Sequence, residues 1–396
     1  MSVLLRRSKL LARLLSARVL SMVAQAVFLA CIHQRWTYSQ IGIYLGIYAL
    51  FTLSCLVFSS GLEKQIIRLR AAGAEAGGAD AQLVGRIATY GLLSSLAIAA
   101  AVFSLVYPRP LPPYFWALLA VGIAGMSLRV FTADVADHKA YVGVLDAQLN
   151  QAAALRVLLS AAVLLRADPM QVLSLELLGI TAANLLICRR YRLAIRYAVG
   201  HVRGRFLAQV GMLFVSKLLQ QLGVRFLLLL PAAQDEFHSA GLFGMLQRVA
   251  GLVTSIAEFI IGRLHVLHGL FDAQQTLGRS YRRRARFVVL STALSVAVVA
   301  ALTLALGLAE GEHLLAFLLV LATSPFQVWR TEMSNLITQR QAYWISPLSY
   351  APATLLMALA TWLPNPQPLQ LSMLLLTNVV LNVATARLLL RRQDRA

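Results

Sequence analysis

Apolar runs of membrane-spanning length follow one another along the chain, separated by short polar breaks. They cover approximately residues 10–32, 41–60, 87–107, 114–136, 141–165, 169–188, 206–231, 240–262, 287–309, 313–336, 344–363 and 368–390. An α-helix needs about 20 residues to cross a hydrocarbon core of about 30 Å. The pattern predicts an all-α polytopic membrane protein with about 12 transmembrane helices. The least defined break is the fourth, which the pattern allows anywhere between Asp137 and Asn150. The first run exceeds the apolar core of a signal peptide, and another run follows it rather than a soluble chain.

Each of the first six runs has a counterpart six places later, at an offset of about 199 residues, which suggests a duplicated six-helix unit. Tyr38-Ser39-Gln40-Ile41-Gly42-Ile43-Tyr44 lines up at that offset with Phe237-His238-Ser239-Ala240-Gly241-Leu242-Phe243 and keeps aromatic, glycine and aromatic in place. The expected organisation is an N-lobe over 1–188, a basic cytoplasmic linker over 189–205 and a C-lobe over 206–396.

Composition sharpens this picture. Hydrophobic residues make up 59% of the chain, mean hydropathy is +0.71 and only 13% of positions are charged, yet the net charge is +20. So much apolar surface excludes an ordinary soluble fold. With the N-terminus in the cytoplasm, 25 of the 36 Lys and Arg flank the runs on that side, and only Arg35, Arg109 and Arg166 fall outside. That asymmetry predicts cytoplasmic termini, and it reads Arg282-Arg283-Arg284-Ala285-Arg286 as a topogenic loop rather than a nucleic-acid patch. Arg330 is counted among these flanking residues. Cys31, Cys55 and Cys188 lack metal-ligand spacing, and His265 and His268 have no acid or cysteine beside them, so neither disulfide nor metal site is expected.

Eight basic residues remain within the runs: Arg13, Arg18, Arg129, Arg156, Lys217, Arg225, Arg248 and Arg387. Arg13 and Arg387 lie near run ends and read as interfacial anchors. The others are costly against lipid and are expected to face protein or a wet cavity. Arg18, Ser21 and Gln25 fall on one face of the first helix; Lys217, Gln221 and Arg225 do so on the seventh. The eighth carries Arg248, Gly251, Ser255, Glu258 and Gly262. Cations suit phosphates, while amides and hydroxyls suit sugars. The candidate substrate-binding residues are therefore Arg18, Gln25, Lys217, Gln221, Arg225 and Arg248, with Glu258 the candidate for ion coupling. A structural ion-pair network is the competing reading for Arg129 with Asp134 or Asp137, and for Asp146 with Arg156. Asn378, Asn382 and Thr385 read as helix packing.

No P-loop, His-Glu-x-x-His or Gly-x-Ser-x-Gly motif is present, and the predicted outer loops are short. Neither enzymatic activity nor a cofactor is expected. A membrane glycosyltransferase or polysaccharide polymerase is the alternative from another class, and a non-transporting scaffold is a further one.

The basic N-terminus and first run, followed by Arg35-Trp36-Thr37-Tyr38-Ser39-Gln40-Ile41-Gly42-Ile43-Tyr44, a second run, and Gly61-Leu62-Glu63-Lys64-Gln65-Ile66-Ile67-Arg68, carry a resemblance. So does Leu336-Ile337-Thr338-Gln339-Arg340-Gln341 between the tenth and eleventh runs. The layout resembles polysaccharide flippases, such as the Wzx-type O-antigen flippases, of the multidrug/oligosaccharidyl-lipid/polysaccharide (MOP) exporter superfamily. The resemblance implies two six-helix lobes around a central cavity, as in MATE proteins, moving a lipid-linked oligosaccharide across the bacterial inner membrane by alternating access. It implies that cations such as Arg18, Lys217, Arg225 and Arg248 hold the polyprenyl pyrophosphate, although the second run here has no interior cation. Expected partners are that lipid, H+ or Na+, membrane lipids, and a polysaccharide polymerase with glycosyltransferases. A cation-coupled small-molecule antiporter of the same superfamily is the alternative, and its cavity is expected to carry acids.

Overall fold

A chain in hydrocarbon must satisfy its backbone N–H and C=O groups internally, so apolar runs of this length fold as helices. The structure, a computed structural model, describes residues 2–59, 66, 79–132, 138–201, 204–259, 313–339 and 344–393. Every regular element among them is helical. In chain order these are α1 (Ser2–Arg35), α2 (Tyr38–Ser54), α3 (Leu56–Ser59), α4 (Ala79–Val106), α5 (Pro113–Thr132), α6 (His138–Leu164) and α7 (Pro169–Arg190). There follow α8 (Gly204–Ala233), α9 (Phe237–Phe259), α10 (His313–Ala322), α11 (Ser324–Gln339), α12 (Ile345–Ala360) and α13 (Pro368–Gln393). Eight stretches of the described residues are long and apolar enough to cross a membrane, and the protein is an all-α polytopic membrane protein. The ninth apolar run, 287–309, lies outside the described residues, as do His265, His268, Asp134, Asp137 and the run 282–286.

Most helices follow their runs, and the departures have local causes. The fourth break falls ahead of its expected window rather than within it: α5 ends at Thr132, and α6 starts at His138 and runs through nearly all of 137–150. The tenth run is split at Thr323, just before Pro325, which has no N–H to give the carbonyl one turn back. At the split the Thr323 hydroxyl donates to Val320 O at 2.6 Å and accepts from Gln327 Nε2 at 2.9 Å. The α7 start is a reciprocal cap. Asp168 Oδ1 accepts from Gln171 N at 2.8 Å, and Gln171 Oε1 accepts from Asp168 N at 3.0 Å, with Pro169 at the first helical position.

The contacts divide the chain into two compact units. Unit 1 comprises Met1–Trp36 and Ile47–Val210; unit 2 comprises Thr37–Gly46 and Gly211–Ala396. The first half of α2 thus groups with unit 2, whereas the sequence reading draws its lobes at 1–188 and 206–396.

In unit 1, α1 packs on α6, α5 on α4 and α7, and α6 on α7. Gly125 allows the α5–α7 approach: a Cβ there would run into Thr181, and its carbonyl accepts from Asn184 Nδ2 at 3.1 Å. Part of the basic linker also belongs to this unit. Tyr197 shares a 2.6 Å hydrogen bond with Ser127, Ala198 N donates to Thr89 Oγ1 at 3.1 Å, and Arg86 reaches His201 O at 2.6 Å.

In unit 2, α13 packs against α9, α10, α11 and α12. Its polar side chains are absorbed there. Asn378 Nδ2 donates to Ala353 O at 3.5 Å, and Asn382 Nδ2 donates to Ser349 Oγ at 3.1 Å. Gly223 of α8 lies against Asn378, and Ser216 of α8 shares a hydrogen bond with Ser346 of α12. The two repeat segments aligned by sequence also meet in this unit. A Cβ at Gly42 would strike the carbonyl of Phe237, and a Cβ at Gly241 would strike that of Tyr38, each carbonyl lying one turn before the partner glycine. The Tyr38 and His238 rings stack edge-on beside them at 5.3 Å. The contact is reciprocal, as expected where two copies of one segment meet about a local two-fold.

Candidate functional site

Helix α1 shows how a cation is kept at membrane depth. Val19, Leu20, Val23 and Val27 are exposed and form its lipid-facing stripe. At 100° per residue, Arg18, Ser21 and Gln25 project from the opposite side, and all three are half-buried. The buried stripe Leu14, Ala17, Ala24 and Phe28 lies beside them. The site residues Arg18 and Gln25 therefore share one face, turned away from lipid.

The two buried acids of unit 1 among the described residues, Asp146 and Glu176, pair with arginines, in pairings that correct the sequence reading. Asp146 was expected with Arg156, but ten positions on one helix separate the two by about 15 Å. Asp146 instead pairs at 2.6 Å with Arg13, because α1 packs on α6. Arg13 is thus more than an anchor. Arg156 pairs at 2.6 Å with Glu176 of α7, and its guanidinium lies 5.2 Å over the Phe28 ring. Glu176 is 1% exposed and Arg156 13%, so this pair is sealed. Glu176 was not singled out from sequence; the available signal was an acid alone within the apolar run 169–188.

In unit 2, α8 exposes Met212 and Val215, while Lys217, Gln221 and Arg225 project from the far side and are half-buried. Lys217 Nζ donates to Gln220 Oε1 at 2.8 Å, and Arg225 Nε donates to Gln221 Oε1 at 2.7 Å. Gln221 thus holds the second cation of its stripe in place. Helix α9 approaches through Gln247, whose Nε2 donates to Val224 O at 3.4 Å. Arg248 is half-buried and follows Gly241 and Gly244 on one face of α9, the face that meets Gly42 and Leu45. Glu258 lies in the last turn of α9, and its side chain falls outside the described residues.

The buried polar side chains of unit 2 among the described residues are all neutral: Ser216, Ser239, Thr254, Thr323, Ser324, Ser346, Ser349, Ser372, Asn378 and Asn382. Unit 2 contains four of the six binding candidates, Lys217, Gln221, Arg225 and Arg248. Unit 1 supplies Arg18 and Gln25. A second residue missed from sequence is Arg330, counted with the flanking residues although it falls near the end of the run 313–336; it lies inside α11, half-buried.

No family model and no curated protein sequence matches the chain. Solved structures do. A MATE protein in complex with MaL6 is 14% identical, with a TM-score of 0.54 over 98% of this chain and 97% of that one. A MATE protein in the bent conformation is 15% identical, with a TM-score of 0.55 over 98% and 95%. A MOP-superfamily transporter from Pyrococcus furiosus Vc1 (DSM3638), whose binding pocket is described as reversed in polarity and suggestive of a different function, is 14% identical, with a TM-score of 0.51 over 98% and 95%. At such identity the likeness shows the fold: this chain is built like MATE proteins of the MOP superfamily, along nearly its whole length.

Proposed function

We propose that the chain is a membrane transporter that moves a polyprenyl-pyrophosphate-linked oligosaccharide, a repeat unit of O-antigen, capsule or exopolysaccharide, across a bacterial inner membrane. The observation that carries this reading is the placement of Lys217, Arg225 and Arg248 at membrane depth on α8 and α9, beside amides, in a unit whose described buried polar side chains are neutral. Such a site favours a charged phosphate over a cation. Gln25 of α1 and Gln221 of α8 have the donors and acceptors for sugar hydroxyls.

In this reading both termini are cytoplasmic, and the lobes alternate access to the two leaflets while the polyprenyl tail stays in lipid. Each negative charge moved outward gains about 2.3 kcal/mol per 100 mV of inside-negative potential. Glu258 would add H+ or Na+ coupling. A polysaccharide polymerase and glycosyltransferases would act on the product and supply the substrate.

Replacing Arg18, Lys217 or Arg248 by Ala is expected to abolish complementation of surface-glycan export while membrane levels of the protein stay normal. Normal export by all three variants would overturn the assignment. The MATE-like fold suits a cation-coupled antiporter of small molecules equally well, and the reversed pocket polarity described for one MOP neighbour shows that polarity varies on this fold. Proton-gradient-driven efflux of an organic cation from proteoliposomes, without lipid-linked glycan movement, would select that reading. Sugar transfer or chain growth in those proteoliposomes would select a glycosyltransferase or polymerase.

A further inference from the structure

At the end of unit 2 where α11 and α13 finish and α12 begins, the three helices share an apolar cluster of Met333, Ile337, Ile345, Ala386 and Leu390. Arg330 precedes Met333 and Ile337 by three and seven residues and so lies on the α11 face that builds this cluster. Its guanidinium is close enough to the buried Tyr350 of α12 to act on it electrostatically. Next to it in sequence, Trp329 packs on the cluster, and Arg387 of α13 stands 5.3 Å over its ring.

Two donors in this group, Arg330 Nε and Trp329 Nε1, are sealed from solvent with no hydrogen-bond partner among the described residues. Leaving a buried donor unpaired is costly, more so on a charged group, and such an exception calls for an explanation. A ligand oxygen that reaches Arg330 Nε would satisfy the charged one of the two. The site is also tied to the cations already described: the Ser216–Ser346 hydrogen bond brings α8 to this level, one residue before Lys217 and one turn before Tyr350.

We propose that Arg330, assisted by Trp329, Arg387 and Tyr350, forms a subsite for the pyrophosphate of the transported lipid, at the end of unit 2 opposite the Gly42–Gly241 contact. The subsite loads the headgroup, which then passes to Lys217, Arg225 and Arg248. This inference rests on the lipid-linked substrate read above. Guanidinium is suited to the task because its fork matches phosphate oxygens two at a time.

The test is binding of farnesyl pyrophosphate, compared with phosphatidylglycerol, to the purified full-length protein by native mass spectrometry. Arg330→Gln is expected to weaken farnesyl pyrophosphate binding about ten-fold or more and to leave phosphatidylglycerol retention within about two-fold. Arg330→Lys keeps the charge but not the fork, and is expected to lose several-fold; it serves as the deciding variant if Arg330→Gln does not purify as a folded protein. Trp329→Phe, which keeps the ring under Arg387 and removes the N–H, is expected to lose a smaller factor. Wild-type affinity in Arg330→Lys and Trp329→Phe, alongside a loss in Lys217→Gln, would overturn the subsite while sparing the substrate reading. A wild-type protein that does not bind farnesyl pyrophosphate would overturn the substrate reading itself. Loss confined to phosphatidylglycerol would make this a site for bilayer lipid and overturn the loading role.

Discussion

In unit 1 the buried carboxylates Asp146 and Glu176 each meet an arginine. In unit 2 the buried polar side chains among the described residues are serines, threonines and asparagines, while Lys217, Arg225 and Arg248 stand half-buried among amides. Both units place charge at membrane depth. They differ in how it is compensated. A buried ion pair that meets its own needs is a structural device, costly to break and indifferent to ligand. Lys217 and Arg225 are hydrogen-bonded to neutral amides, and the contrast to test is whether their charge serves folding or a ligand.

The largest expected effect on stability tests the compensated side. Glu176→Leu strands Arg156 in a site where it is 13% exposed, beside the Phe28 ring. Removing one partner of a buried pair costs about 3–5 kcal/mol, much of it the penalty of the charge left behind. Thermal unfolding in detergent should show a large fall in Tm, and the double variant Arg156→Leu/Glu176→Leu should recover most of it. A double variant as unstable as the single one would mean that Glu176 stabilises the lobe by something other than its pairing.

A smaller effect is expected at the second pair of the same unit. Asp146 is 8% exposed, but Arg13 is 65% exposed and keeps access to water and lipid headgroups when its partner is lost. Asp146→Asn should therefore cost about 1 kcal/mol or less, read by the same unfolding measurement. A loss equal to that of Glu176→Leu would show that exposure of one partner does not soften the break.

These pairings were also the part of the molecule least legible in the sequence. Hydropathy averages over about 20 residues, so the helical runs and the all-α membrane class survive local irregularities. The repeat pointed to Gly42 and Gly241, and each proves to lie against the backbone of the other's segment. Ion-pair partners are set by which helices pack, and that is long-range information. Asp146 found Arg13 through the α1–α6 contact, and Glu176 found Arg156 through α6 and α7. Arg330 was hidden for a different reason: near the end of an apolar run, a snorkelling arginine and a buried one look alike in sequence. The stripes Arg18–Gln25 and Lys217–Arg225 were legible because helical period alone fixes a face, whereas what each face meets depends on packing.

The smallest expected effect on stability falls on the cations of unit 2, and it is the most informative. Lys217→Gln and Arg225→Gln each replace a cation by a neutral donor of similar length. The Gln220 and Gln221 oxygens that accept from them can find the new amide or water in a half-buried setting. The cations are half-buried and hydrogen-bonded to amides, where a neutral donor loses little net stabilisation, so Tm should stay close to wild type, within about 0.5 kcal/mol of stability. If instead these variants unfold as Glu176→Leu does, the cations of unit 2 are fixed by structural pairing and the contrast between the units fails. If stability holds while anion binding falls, the difference between the units is one of role: unit 1 neutralises its buried charge for folding, and unit 2 keeps its half-buried charge for a ligand.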